Sequence, residues 1–147
     1  MGCVTHARAI AISLAAAGIF QATLSGQAGR STWDGVYSAE QAQRGDGIYR
    51  KECASCHGET LDGQGPTPPL AGDDFKSNWN GQTLRDLFDK IQTTMPADHP
   101  GKLSRQETAD ILAFMLGANK FPAGKTALGS DTEALARIRF DTARPKN

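Results

Sequence analysis

Cys53-Ala54-Ser55-Cys56-His57 puts two thiols and an imidazole within five residues. Cysteines three residues apart at the end of a helix lie on one side of the chain. From there they can add to the two vinyl groups of a porphyrin and form thioethers. The next residue, His57, then projects beneath the ring and offers a nitrogen to iron. With three Cys and three His in 147 residues, chance yields this pattern in about one chain in a thousand. A thioredoxin-like redox pair uses the same two cysteines but asks for a strand–helix setting, and no strand pattern is visible here. A structural zinc site needs four ligands. Cys53, Cys56, His57 and His99 supply four on paper, at a spacing unlike a zinc finger.

An iron held this way has a second axial position. Past the N-terminal segment, the remaining donors are Met95, Met115 and His99. A thioether suits haem iron and raises its potential relative to two imidazoles. Met115 falls inside an apolar helical run, where core packing is the expected role. Met95 stands between a helix and Pro96, 38 residues after His57, in a loop that can fold back over the iron. His99 on its polar loop is the alternative, and an open or water-bound position is the third.

These donors need elements to carry them. Ser38-Ala39-Glu40-Gln41 predicts a helix start, with Ser38 capping and Gln41 reaching back. That helix should run to about Ala54, with Ala42, Ile48 and Tyr49 available for packing. Residues 58–82 are dense in Gly, Pro, Asp and Asn and read as one long loop wrapped around a ligand. Leu84, Leu87, Phe88 and Ile91 recur at helical spacing, predicting a helix from about Thr83 to Thr94 that stops before Pro96. Ser104-Arg105-Gln106-Glu107 is a second capping box, opening a helix from about Arg105 to Ala118. Gly117 and Asn119 suit its end. A weak helix is expected near Thr132 to Ile138. The predicted class is all-α: three main helices with long loops around one covalent cofactor.

Sixteen Lys and Arg balance sixteen Asp and Glu, which argues against a nucleic-acid binder. The N-terminus reads as a secretory signal over residues 1–28. Arg8 forms its basic region, Ala9 to Phe20 its uncharged apolar stretch, and Gly26-Gln27-Ala28 its cleavage site. An uncleaved anchor is the other reading, although the apolar run is short for a span of about 20 residues. Cleavage removes Cys3 and Arg8, leaving Cys53 and Cys56 as the cysteines of a mature chain with fifteen bases and sixteen acids. A formal charge near −1 gives no strong steering field. The expected compartment is a bacterial periplasm, with no membrane span in the mature form. The remaining divisions are a linker over 29–37, a domain over 38–126 and a C-terminal extension over 127–147.

Residues 38–124 resemble the class I c-type cytochromes, small proteins with a single haem. The resemblance rests on Gly45 and Tyr49 ahead of Cys53–Gly58, then on Pro68-Pro69-Leu70-Ala71-Gly72 and Trp79. It continues through Met95-Pro96 and Ala113-Phe114. It implies a cytochrome c fold in which the first and last helices cross near Gly45, with Tyr49 and Phe114 at the crossing. It also implies Met95 as the sixth ligand and a proline carbonyl that accepts the second imidazole N–H of His57. Pro68 aligns best when Leu70 is matched to the family leucine, with Pro69 beside it. Trp79 would turn its indole N–H to a haem propionate, or else serve as a loop anchor. Leu70, Phe75, Leu87, Phe88, Ile91 and Leu103 are expected as pocket walls.

The function this implies is electron transfer by one haem c, without catalysis on a substrate. Redox proteins would be the partners, a periplasmic dehydrogenase and a terminal oxidase among them. The 120–124 turn and the 127–147 tail loosely resemble extensions on cytochromes serving periplasmic, notably quinoprotein, dehydrogenases, so a dedicated dehydrogenase subunit is an alternative. A haem peroxidase or gas sensor with a labile sixth ligand is another.

Overall fold

Two serines and a threonine start the main helices of the computed structural model, which describes residues 1–2, 29–144 and 146. The expected signal segment, with Cys3, Arg8 and the cleavage site, lies outside the described residues. Ser38 caps α1 (Ala39–Glu52), Thr83 caps α4 (Leu84–Thr94) and Ser104 caps α5 (Arg105–Ala118). At α4 and α5 the third residue, Asp86 or Glu107, closes a capping box by accepting from the cap's backbone N–H. The short helices are α2 (Ala54–His57), α3 (Asp73–Trp79) and α6 (Thr132–Ala136). Among the described residues the only strands are two-residue pieces, β1 (Arg30–Ser31) and β2 (Ile138–Arg139), paired parallel.

The first and last main helices, α1 and α5, cross at contact distance because Gly45 has no side chain. A Cβ placed there would run into the backbone carbonyl of Asp110 and lie 2.9 Å from the Phe114 Cβ. Tyr49 and Phe114 pack beside this point with ring centroids 5.2 Å apart. The crossing also holds a buried polar cluster. Asp110 accepts from Arg44 Nε at 3.0 Å, from Gln41 Nε2 at 3.1 Å and from Gln106 Nε2 at 2.9 Å. Burial pushes the Asp110 carboxyl upward, but the bonds from Arg44, Gln106 and Gln41 outweigh it and hold the group below the ordinary range.

Gln41 departs from its expected role. Ser38 Oγ accepts the Gln41 backbone N–H at 3.2 Å, yet the Gln41 side chain does not reach back to the cap. It is 0% exposed. Its amide donates to the Leu128 carbonyl at 2.9 Å and accepts the Leu128 N–H at 2.6 Å. A buried amide needs partners for both ends, and the passing backbone supplies them.

The loop expected over 58–82 is interrupted by α3. Seven residues are too few to show a period. Asp73 and Asp74 favour the positive end of the helix dipole, and the buried Phe75 anchors it. Residues 29–37, read as a linker, and 127–147, read as an extension, both pack into the core. Val36, Tyr37, Leu128, Leu135, Ile138 and Phe140 are all buried. Trp33 Nε1–H donates to the Asp141 carbonyl at 2.9 Å, and Tyr37 Oη–H donates to the Phe121 carbonyl at 2.7 Å. Aromatic rings run in a row from Trp33 through Phe121, Phe140 and Phe75 to Trp79. Neither end segment has alternation long enough to register as structure, and each gains order from the other and from the helices it packs on.

A chain ending at residue 126 would lose four buried apolar side chains. At about 1.5–3 kcal/mol each, that loss rivals the whole net stability of a domain, about 5–15 kcal/mol. Urea titration of this truncation should show no cooperative transition, and a wild-type midpoint would contradict the packing argument. The stability contributed by Asp110 is present above its unfolded value of about 3.9 and fades as pH falls through the lower folded value. Asp110→Asn should therefore melt lower at neutral pH and show a shallower loss towards acid. Parallel pH curves for variant and parent would count against that role.

Candidate haem site

The attachment sequence sits where α1 breaks. Cys53 leaves helical geometry at φ −129° and ψ −35°, and its carbonyl accepts both the Cys56 N–H at 3.1 Å and the His57 N–H at 3.0 Å. This single turn places the Cys53 and Cys56 backbones one hydrogen-bonded turn apart. Both thiols are free. Cys53 is half-buried and Cys56 exposed. Burial, then the charges of Glu52 and Cys56, push the Cys53 thiol up to about 11. A redox-active pair wants a lowered thiol instead. Among the described residues no group of three or more His, Cys, Asp and Glu side chains converges, so the zinc reading has no ligand set.

His57 is 8% exposed. Its Nδ1 lies 2.9 Å from the carbonyl oxygen of Pro68, not of Pro69. A carbonyl can only accept, so Nδ1 carries a proton, and in the neutral ring Nε2 keeps its lone pair. The ring is thereby fixed in both orientation and tautomer.

The loop over 58–71 is built to deliver that carbonyl. Tyr49 Oη–H donates to the Gly58 carbonyl at 2.8 Å, tying the loop's start to α1. The Gly63 N–H returns to the His57 carbonyl at 2.9 Å. Gly63 has φ 76°, and a Cβ there would strike the Thr67 carbonyl and lie 2.9 Å from Pro68 and Pro69 backbone atoms. Only glycine lets the chain pass so close to the prolines. Leu61 is buried with φ 64°, a costly geometry for leucine. Its carbonyl is held by the N–H groups of Leu70 at 2.7 Å and Ala71 at 3.2 Å.

The sequence pointed to Asn119 only as a helix stop, yet it fastens the end of this loop. Asn119 Nδ2 donates to the Leu70 carbonyl at 3.0 Å, and its Oδ1 accepts the Gly72 N–H at 3.1 Å. A polar residue directly after the apolar second half of α5 was the one available signal.

The other candidate ligand comes from the end of α4 and the loop after it. Met95 ends α4, with its N–H on the Ile91 carbonyl at 3.0 Å. Met115 is buried within α5. His99 projects into solvent, its side chain 70% exposed, with Asp98 Oδ2 4.0 Å away. Gln92, overlooked in the sequence, clasps the far end of the loop. Its Nε2 donates to the Leu103 carbonyl at 2.7 Å, while its Oε1 accepts from Thr108 Oγ1 at 3.0 Å. Trp79 ends α3 against Phe75, with ring centroids 6.3 Å apart.

Phe75, Leu87, Phe88, Ile91 and Leu103 are buried in the main core, while Cys53, Leu70, Trp79 and Met95 are half-buried at its margin. The structure thus joins Cys53, Cys56, His57 and Pro68 directly. It brings Leu70, Trp79 and Met95 from three other segments to the edge of the same core. Two free thiols one turn apart, an imidazole with Nε2 available and a marginal thioether fit a covalently attached iron porphyrin. Asn119→Ala should cost about 1–3 kcal/mol, because it strands the Leu70 carbonyl and the Gly72 N–H. Urea melts of the haem-loaded protein would measure this, and an unchanged midpoint would refute the fastening role.

The family model described as "Cytochrome C oxidase, cbb3-type, subunit III" matches residues 40–115, just over half of the chain. No curated protein matches. A solved structure of the sulfane dehydrogenase SoxCD from Paracoccus pantotrophus is similar, at 25% identity and a TM-score of 0.45. The similarity covers 60% of this chain and 53% of that one, so the chain matches about half of its neighbour's length. The matched span of the family model runs from the start of α1, across Cys53–His57, into α5, and the chain belongs to that family: it is a class I c-type cytochrome with the cytochrome c fold.

Proposed function

We propose that this protein is an exported, periplasmic carrier of single electrons with one haem c. Cys53 and Cys56 hold the haem by thioethers, and His57 and Met95 fill its two axial positions. The observation that carries this reading is the His57–Pro68 contact, which leaves Nε2 as the free donor directly beside two free cysteines. Membership of a cytochrome c family implies haem-based electron transfer.

The bound haem supplies a one-electron iron couple. The chain's own residues make that couple usable. Pro68 keeps the proton on Nδ1, so the His57 imidazole stays aimed through both oxidation states. Met95, fastened to α4 through its backbone, offers sulfur from the other side. With both axial sites filled, no position is left for a substrate, and the protein is read as a carrier rather than an enzyme. Apolar walls from Leu70, Phe75, Leu87, Phe88, Ile91 and Leu103 keep water away and tune the potential. Trp79 is proposed to turn its indole N–H to a propionate. Among the described residues no helix is long and apolar enough to cross a membrane. A periplasmic dehydrogenase is the proposed donor and a terminal oxidase the proposed acceptor.

Intact mass of the exported protein should equal the chain from Gly29 plus one haem, and a mass without added porphyrin overturns the reading. Met95→Ala should abolish the far-red Met–Fe(III) charge-transfer band and let carbon monoxide bind the reduced protein rapidly. Persistence of the band removes Met95 from the ligand set. Rapid, stoichiometric carbon monoxide binding by the parent protein would instead mark a labile sixth position.

A further inference from the structure

We propose that Glu52 and Lys102 form a latch that positions the 95–103 loop against the haem-attachment segment. The functional meaning of this latch rests on the reading of Met95 as the iron ligand. Glu52 is the last residue of α1 and immediately precedes Cys53. Its carboxylate side chain is only 10% exposed. Lys51 Nζ lies 3.5 Å from Oε1, and Lys102 Nζ lies 2.5 Å from Oε2. A nearly buried carboxylate is thus shared between two ammonium groups, one from its own helix and one from the loop that follows Met95.

The loop has little internal fastening. The His99 N–H donates to the Pro96 carbonyl at 3.0 Å, and the Lys102 N–H to the His99 carbonyl at 3.3 Å. Its far end is held to α4 by Gln92. That bond ties the loop to the element it has just left. The Glu52–Lys102 pair instead joins it to α1, fifty residues back, beside the thioether cysteine. The latch therefore couples the two sides of the site, since His57 follows Glu52 by five residues and Met95 precedes Lys102 by seven. Closing the loop keeps Met95 in place while the charge at the iron changes, which limits rearrangement during electron transfer. The Lys102 side chain is 45% exposed, but its partner carboxylate is largely covered, and such a short charge-assisted pair can do this more firmly than one exposed at both ends.

The test uses the haem-loaded full chain with Lys102→Gln and Lys102→Arg. Amide hydrogen exchange of 95–103 should rise about tenfold in K102Q, the equivalent of a tenfold larger open population. Exchange over α5 and the global melting temperature should stay at parent values. Imidazole should bind the oxidised K102Q protein faster by a similar factor, and K102R should restore both rates. Unchanged exchange over 95–103 in K102Q overturns the latch. So does a rise shared equally by α5, which would mark a purely global role. The exchange readout does not depend on what Met95 binds. If the parent lacks the far-red band, the ligand reading fails while exchange still decides the latch.

Discussion

The approach of α1 to α5 at Gly45 is the constraint on which the other placements depend. With no side chain at that position the two backbones touch, and Asp110 and Phe114 fill the space around the contact. Three attachment points near the candidate site hang from these two helices. The end of α1 carries Glu52, Cys53 and the turn to His57. The end of α5 carries Asn119, which fastens residues 70 and 72. The start of α5 carries Thr108, which braces Gln92 and through it the loop after Met95. A larger residue at 45 would push the helices apart and move all three attachment points together.

The site is asymmetric in how it is held. On the His57 side, the backbone does most of the holding. Pro68, Leu61 and Gly58 act through carbonyls, and two unusual conformations at Leu61 and Gly63 aim them. On the Met95 side, side chains take over, with Gln92, Thr108, Lys102 and Glu52 bridging separate elements. Backbone carbonyls are hard to displace without local unfolding, whereas side-chain ties open one at a time. The segment around His57 is accordingly the more firmly held, and the ties of the 95–103 loop are the ones that can open singly.

The sequence disclosed local chemistry well and tertiary chemistry poorly. Cys53–His57 was legible because its meaning lies in five adjacent residues. Helices α4 and α5 were legible because their periods and caps are local. The choice between Pro68 and Pro69 needed the loop's path, which a positive φ at Gly63 decides. Gln41 looked like half of a capping box, but the side chain was claimed by Leu128, eighty-seven residues away. Asn119, Gln92 and Lys102 are ordinary polar residues whose roles come entirely from what they meet. The stretches at 29–37 and 127–147 read as appendages because each is irregular alone. They become core by packing against each other and against α1 and α3.

That pairing has a consequence for how the protein is made. Trp33 donates to a carbonyl 108 positions later, and β1 finds its mate in β2. A polypeptide is built from its amino end, so the pentapeptide Cys53–His57 emerges about eighty residues before the strand that closes the domain. Ring closure over so long a span is entropically slow. The thiols therefore become available on a chain whose two ends are still apart, and the final lock of the fold comes after its cysteine-bearing segment has been exposed.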